Sequence, residues 1–370
     1  MKKKILFFIH DLCGGGAEKV LVNLVNHLDP NKFDVYVVSM FGGGVNRKNL
    51  APHINYRFIF SKTFRGNSKI IKYFSSSLLH RWFIKDHYDI EVACLEGGIS
   101  KIISGCNDSN TRLVSWIHTE QRNYKGAIGY FRNENEAHSC YSKFDKIVCV
   151  SETVKQRFIK NFPTAKEPIV LYNVLETEKI KELSKDIVND NNFNNDEINI
   201  VTVGKIDKSK GIDRLARIIL RLRKDGFPVH FFAIGTGSDR KEIEQFLENN
   251  SLSEWFTFLG YKTNPYKYVA KCDLYACASL QEGFSTATTE ALIVGTPVCT
   301  VKVSGMREML GDNQWGLITN NDEESLYMGL KELIANPRLL DKYKLKAKER
   351  GEFFSTERTV CAYEKMLMNL

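Results

Sequence analysis

Residues 279–300 read SLQEGFSTATTEALIVGTPVCT, and the placing of Glu282 and Glu290 in that stretch decides how the chain is read. An apolar run from Leu274 to Ala278 leads into Glu282, and a second apolar run carries Glu290, so the order is strand, turn, helix. At 3.6 residues per turn the second carboxylate is expected about two turns along that helix. Small residues from Ser285 to Thr289 let a ligand approach the first helical turn, whose free amides and positive dipole end favour phosphate. Such a site suits a molecule with hydroxyls at both ends and phosphates between them. Two glutamates alone are a weak signal, because exposed acidic residues are common on helix faces.

Outward from this stretch the same alternation recurs. Lys4 to His10 is an apolar strand, Gly14, Gly15 and Gly16 form a turn, and Val20, Leu21, Leu24, Val25 and Leu28 have helical spacing. These glycines lack the spaced fingerprint of a dinucleotide site, which disfavours a nicotinamide cofactor. Further strands are predicted at 33–40, 90–95, 112–117, 146–151 and 169–172, then at 198–203, 229–234, 256–259, 274–278 and 297–301. Strands alternating with helices in both halves imply two parallel sheets. The Asn- and Asp-rich run 186–197 cannot bury itself, which places an interdomain linker across 173–197. Glu96 and His118 follow predicted strands, where ligands bind in open α/β sheets. Residues 69–85 read as one helix with Ile70, Ile71, Phe74, Leu78, Trp82 and Phe83 on a shared face, fitting either a crossover helix or an interfacial one.

Composition bounds the class. A chain of 370 residues suits two domains, and 43% hydrophobic content supports sizeable cores. No apolar run approaches the ~18 residues of a membrane span. The opening MKKKILFFIH is not followed by a small-residue cleavage site, so it reads as a buried strand. None of the nine cysteines is spaced for a zinc or redox motif, which fits a cytoplasmic protein. Residues 1–173 carry 25 Lys and Arg against 15 Asp and Glu, while the remainder carries 27 against 29. That imbalance draws acidic partners to the first half: nucleic acid, an anionic membrane or a phosphorylated acceptor.

Glu, seven residues, Glu, then Ala and Gly-Thr-Pro-Val resembles the retaining nucleotide-sugar glycosyltransferases of family 4, of the bacterial surface-polysaccharide type, and the resemblance runs from the first strand to the last helix. It implies the α/β fold called GT-B: two Rossmann-like domains whose parallel sheets face a central cleft. The acceptor-binding domain would be 1–175, the nucleotide-sugar domain 196–355, with helix 356–370 crossing back to the first. By resemblance, Glu282 holds donor-sugar hydroxyls, Glu290 the ribose, and His118 reaches the transferred sugar. Lys205 and Lys210, with the amides around Gly283, Phe284, Ser285 and Thr286, stabilise the leaving diphosphate. Gly15 and Gly16 lie under that diphosphate, Gly204 precedes the first lysine, and the loops of Gly235 and Tyr261 line the base. The family usually has Arg at the position of Lys205, so the planar fork for phosphate is lost there.

No Asp-any-Asp pair is present to hold a divalent cation, so neither metal nor cofactor is expected. The implied donor is a UDP-sugar, with a GDP-sugar as the alternative. The implied acceptor is a saccharide or a polyprenyl-diphosphate-linked glycan at the inner membrane face. Association with an anionic membrane surface is expected and nucleic-acid binding is not, because aromatic residues are not interleaved with basic ones as a single-strand platform requires. Two other readings stay open: an epimerase on the same fold, and a non-catalytic protein binding nucleic acid or membrane.

Overall fold

Every strand pairing in the computed structural model of the chain, which describes residues 2–188, 193–194 and 196–370, is parallel. One sheet contains β1 (Lys3–Ile9), β2 (Phe33–Phe41), β3 (Asn55–Phe60), β4 (Ile90–Ala93), β5 (Arg112–Ile117), β6 (Lys146–Cys149) and β7 (Ile169–Val170). The other contains β8 (Ile198–Val203), β9 (Val229–Ile234), β10 (Phe256–Gly260), β11 (Leu274–Cys277), β12 (Val298–Val301) and β13 (Leu317–Thr319). Strand orders are β3-β2-β1-β4-β5-β6-β7 and β10-β9-β8-β11-β12-β13. Parallel sheets are covered on both faces, which is why strands such as VHFFAI in β9 are buried along their whole length. Each chain path starts in the middle of its sheet, winds to one edge and returns to the other side. The order therefore reverses between β1 and β4, and again between β8 and β11, and ligands bind beyond the carboxyl ends of strands at such points.

The chain divides into two compact units, one running to Leu175 and regaining Glu357–Leu370, the other spanning Glu176–Thr356. The terminal helix Thr356–Met368 completes the first unit: the Tyr363 hydroxyl donates to the Leu171 carbonyl at 3.2 Å, and its ring lies 5.0 Å from Trp116. Glu364 accepts from the Asp29 amide and the Lys32 ammonium, both at 2.7 Å. The second unit begins some twenty residues before the expected 196, because part of the predicted linker is the helix Thr177–Leu183. Thr177 ties that helix down, its amide donating to Thr356 Oγ1 at 2.9 Å and its hydroxyl to the Phe354 carbonyl at 3.0 Å. Residues 189–192 and 195 of the Asn-rich run lie outside the described residues.

Two other readings change. The single helix predicted over 69–85 is two helices, Asn67–Tyr73 and Ser76–Phe83, because Ser75 is extended and its hydroxyl accepts the Leu78 amide at 3.4 Å. Three consecutive serines compete with the helical ladder through such bonds. The break also dissolves the shared apolar face: Ile71 and Leu79 are buried, whereas Ile70, Phe74 and Trp82 are exposed. Edge strands β3 and β13 were not anticipated, the first because none of its side chains is buried and the second because it is three residues long.

Helix Thr286–Val294, which carries the decisive stretch, is buried from Thr288 to Ile293 and packs on helix Pro337–Phe353. The close approach requires Gly351, where a Cβ would lie 2.6 Å from the Leu292 carbonyl oxygen and 2.8 Å from the Ile293 Cα. Helix propensity favours Ala over Gly by ~1 kcal/mol, and overpacking against backbone costs ~1–3 kcal/mol. Gly351→Ala is therefore expected to lower stability in chemical denaturation, and a stabilised variant would contradict this packing.

Candidate active site

In the second unit the carboxyl ends of β8 and β11 deliver a cation and an anion to one point. Beyond β8, Gly204 and Lys205 lead into a short 3-10 turn, Lys208–Lys210, capped by Asp207, whose carboxylate accepts the Ser209 amide at 3.0 Å. Gly211 follows with φ +64°, and a Cβ there would stand 2.3 Å from the Ala278 carbonyl oxygen, so this close approach needs glycine. The Leu280 amide donates to the Ser209 carbonyl at 2.8 Å, joining the loop after β11 to the loop after β8. Lys210 Nζ consequently lies 2.6 Å from Glu282 Oε1, and the Ser279 hydroxyl donates to the same oxygen at 2.7 Å. Burial pulls the Lys210 ammonium down, but the Glu282 carboxylate outweighs it and the net position is above the ordinary lysine value.

The buried Arg214 braces this loop from beneath, donating to the Ala278 carbonyl at 3.2 Å and to Asn321 Oδ1 at 2.8 Å. Asn321 in turn donates to the Ser279 carbonyl at 3.4 Å. Sequence reading missed Ser279, Arg214 and Asn321. Ser279 is adjacent to the motif, but Arg214 and Asn321 reach it only through the fold.

Ser285 caps helix Thr286–Val294, its hydroxyl accepting the Thr288 amide at 3.3 Å. The amides of Thr286 and Ala287, first in the helix, have no acceptor within it, and both residues are half-buried. Glu290 stands one turn along, not two, because the helix begins only at Thr286, and it is buried. Gly283 and Phe284 are buried as well, with Phe284 edge-on to Phe354 at 5.9 Å. Gly235 has φ +141°, and a Cβ there would fall 1.8 Å from the Gly204 carbonyl oxygen. Its amide donates to the Gly260 carbonyl at 2.9 Å, so the ends of β8, β9 and β10 meet over Gly204 and Gly235. Lys205 and Tyr261 are exposed at the rim.

The remaining sequence candidates belong to the first unit. Gly15 caps helix Gly16–His27 without a side-chain bond of its own, and the Glu18 carboxylate of the first turn lies against it, where a Cβ at Gly15 would meet Oε2 at 2.0 Å. Beside it the His10 ring holds the Asp11 carboxyl down at about 2, with the Cys13 amide also donating to it. His118 follows β5, and its backbone amide donates to Glu96 Oε2 at 2.9 Å, while the Thr119 hydroxyl binds the other oxygen. Burial pushes the Glu96 carboxyl above its usual range despite these bonds. The His118 ring, 8% exposed, lies 4.6 Å from Trp116, and its buried Nε2 has no hydrogen-bond partner. Burial pushes its pKa down to about 3, so the imidazole is neutral and suited to hydrogen-bonding a hydroxyl.

Among the described residues, the His, Cys and carboxylate side chains close enough to share an ion are His80, Glu91 and Cys106. They lie at the amino end of β4, away from the strand ends that carry the candidates above. His80 Nε2 is 2.7 Å from Glu91 Oε2, and although burial opposes its charge, the neighbouring Cys106 and Glu91 raise it to about 9, so an ion pair accounts for the group.

The model of Glycosyltransferase Family 4 matches residues 14–179, and that of Glycosyl transferases group 1 matches residues 184–350. The chain is 29% identical to the N-acetylgalactosamine-N,N'-diacetylbacillosaminyl-diphospho-undecaprenol 4-alpha-N-acetylgalactosaminyltransferase of Campylobacter jejuni, over 95% of this chain and 96% of that protein. Among solved structures it resembles Anabaena HepE in complex with UDP, at TM-score 0.77 and 18% identity over the full length of both chains. It also resembles sucrose-phosphate synthase from Thermosynechococcus elongatus, at TM-score 0.81 and 14% identity over 100% of this chain and 99% of that one.

The buried imidazole has a consequence for acid stability. His118 titrates near 6.5 when unfolded and at about 3 when folded. Above the unfolded value neither state binds the proton, and as pH falls towards the folded value only the unfolded state does. Stability is thus lost through that window, by roughly 2–3 kcal/mol at about pH 4.5. His118→Gln is expected to flatten the decline in denaturation midpoint over that range, and an unchanged profile would show that the ring is not held neutral.

Proposed function

We propose that this chain, which belongs to the glycosyltransferases that pair a family 4 domain with a group 1 domain, transfers a hexose or N-acetylhexosamine from a UDP-sugar to a lipid-linked saccharide acceptor in surface glycan synthesis. That it is a glycosyltransferase using a nucleotide-sugar donor rests on the family. The finer reading rests on the contact between Lys210 and Glu282 beside the open amino end of helix Thr286–Val294. A cation and two amides answer a diphosphate, and an anion within reach of the same point answers sugar hydroxyls. The Campylobacter relative is named for transfer to a diphospho-undecaprenol-linked acceptor, which supports the same acceptor class here and its presentation at an anionic membrane surface.

In this mechanism Glu282 accepts hydrogen bonds from hydroxyls of the donor sugar and Glu290 from the ribose. His118 in the first unit keeps a neutral, unpartnered Nε2 suited to a sugar hydroxyl. As the anomeric carbon–phosphate oxygen bond breaks, negative charge grows on the nucleoside diphosphate, and Lys210, Lys205 and the amides of Thr286 and Ala287 stabilise it without a metal. The acceptor oxygen bonds to the anomeric carbon on the face the phosphate leaves, and its proton passes to the departing phosphate oxygen, so configuration is retained. A glycosidase would instead place two carboxylates across the bond as acid and nucleophile or base.

Loss of one such charged hydrogen bond is worth ~10²–10³ in turnover. Glu282→Ala is expected to lower transfer by that factor while UDP binds as tightly as before or more so, because Lys210 loses its competing carboxylate. Radiolabelled transfer with parallel titration of UDP, with and without EDTA, reads this out. Unchanged turnover sinks the role of Glu282, and abolition by EDTA sinks the metal-independent mechanism.

A further inference from the structure

The basic excess of the first half is concentrated in one segment. From Val35 to Lys85 there is no Asp or Glu, and there are nine Lys or Arg. The same segment holds seven of the fourteen large hydrophobic side chains exposed among the described residues, six of them between Phe58 and Trp82: Phe58, Phe64, Ile70, Tyr73, Phe74 and Trp82. Much of this apolar surface is connected. Phe64 lies 5.3 Å from Phe60, which lies 6.0 Å from Phe83, and the adjacent Trp82 packs on Phe74 at 4.9 Å. Tyr73, 67% exposed, ends the helix that also carries Ile70.

The base beneath this surface is rigid. Ile71 is buried, and the buried Lys101 donates from Nζ to the Lys72 carbonyl at 2.8 Å and to Glu136 at 3.0 Å. Two short helices are therefore pinned to helix Gly98–Ile103 while their aromatic residues stay in solvent. Contiguous exposed apolar surface of this kind marks an interaction site.

We propose that this face, formed by residues 58–85, docks on an anionic lipid bilayer, with Phe64, Tyr73, Phe74 and Trp82 entering the headgroup layer and Lys62, Arg65, Lys69, Arg81 and Lys85 meeting lipid phosphates. The inference deepens the lipid-linked acceptor reading above and rests on it for the reason a bilayer is near. Its physical basis is separate. Those five cations have no carboxylate partner among the described residues, whereas Arg57 is paired with Asp86. Phe74 and Trp82 spend their rings on each other, while a single-strand nucleic-acid platform needs free faces on which bases stack.

Co-sedimentation of the full chain with vesicles, without any sugar donor, tests the docking. Binding is expected to vesicles of phosphatidylcholine mixed with phosphatidylglycerol and to be far weaker to phosphatidylcholine alone. At about fivefold per cation, replacing Lys62, Arg65 and Lys69 with Gln is expected to weaken binding by roughly 100-fold. Trp82→Phe is expected to keep binding but lose the blue shift of tryptophan emission that vesicles induce. Both variants are expected to keep the wild-type melting temperature and its rise with UDP, which separates docking from folding and from the donor site. Equal binding to both lipids, no binding, a triple variant that binds like the wild type, or a vesicle-induced blue shift that persists in Trp82→Phe overturns the proposal. So does charge-sensitive binding to single-stranded DNA or an acidic protein with none to vesicles. Failure of vesicle binding with transfer to a detergent-solubilised acceptor intact overturns the docking alone and leaves the transferase reading standing.

Discussion

Lys210 and Glu282 meet at 2.6 Å at the point where the strand order of the second sheet reverses, and the construction around them exists to let them meet. As a stabilising device the pair is poor. Exposed ion pairs are worth ~0–1 kcal/mol, and partly buried ones repay little beyond their own desolvation. Its value lies in what each partner offers a third molecule. An isolated ammonium there would favour any anion, and an isolated carboxylate would repel phosphate. Held together, they suit a ligand that is anionic on one side and rich in hydroxyls on the other, as the proposed function requires.

Backbone constraints enforce that contact more than side-chain packing does. At Gly211 and Gly235 a Cβ would meet a carbonyl oxygen of the adjoining loop at 2.3 Å and 1.8 Å, distances no side chain tolerates. The loops that follow β8, β9 and β11 are therefore in backbone contact, and Arg214 and Asn321 hold the loop after β11 from below. Three separate strand ends behave as one rigid cradle. Rigidity matters for a site that stabilises developing charge, because donors that need not reorganise are the effective ones.

Much of this was legible in the sequence, for reasons that also explain the rest. Buried parallel strands are continuous apolar runs, so Arg112–Ile117, Ile198–Val203 and Val229–Ile234 could be delimited to the residue. Edge strands lack that signature, and β3 and β13 were passed over. Glu282 and Lys210 were legible as residues of the site, but their mutual contact was not, since they are joined by a loop-to-loop approach across 72 positions. Arg214 reads from sequence as an ordinary basic residue of an amphipathic helix, and only the fold turns it inward onto Ala278. The serine run 75–77 carried the signal for the broken helix, yet apolar periodicity outweighed it in the reading.

Charge is divided between the halves in a way the donor site does not explain. The second half, which carries the proposed phosphate-binding groups, has slightly more acidic than basic residues, and a single ammonium with a helix terminus supplies the local positive field. Net charge is therefore not what a diphosphate reads. Recognition at a few ångströms depends on placement, whereas a broad surplus acts over a Debye length of ~8–10 Å on extended surfaces. The surplus in the first half is concentrated in an acid-free segment whose aromatic side chains stay exposed on pinned helices, the arrangement from which a second, larger and flatter partner is proposed. On the proposed function, one chain would use two kinds of electrostatics: a paired charge at atomic contact for its donor, and an unpaired field for the surface at which its acceptor is held.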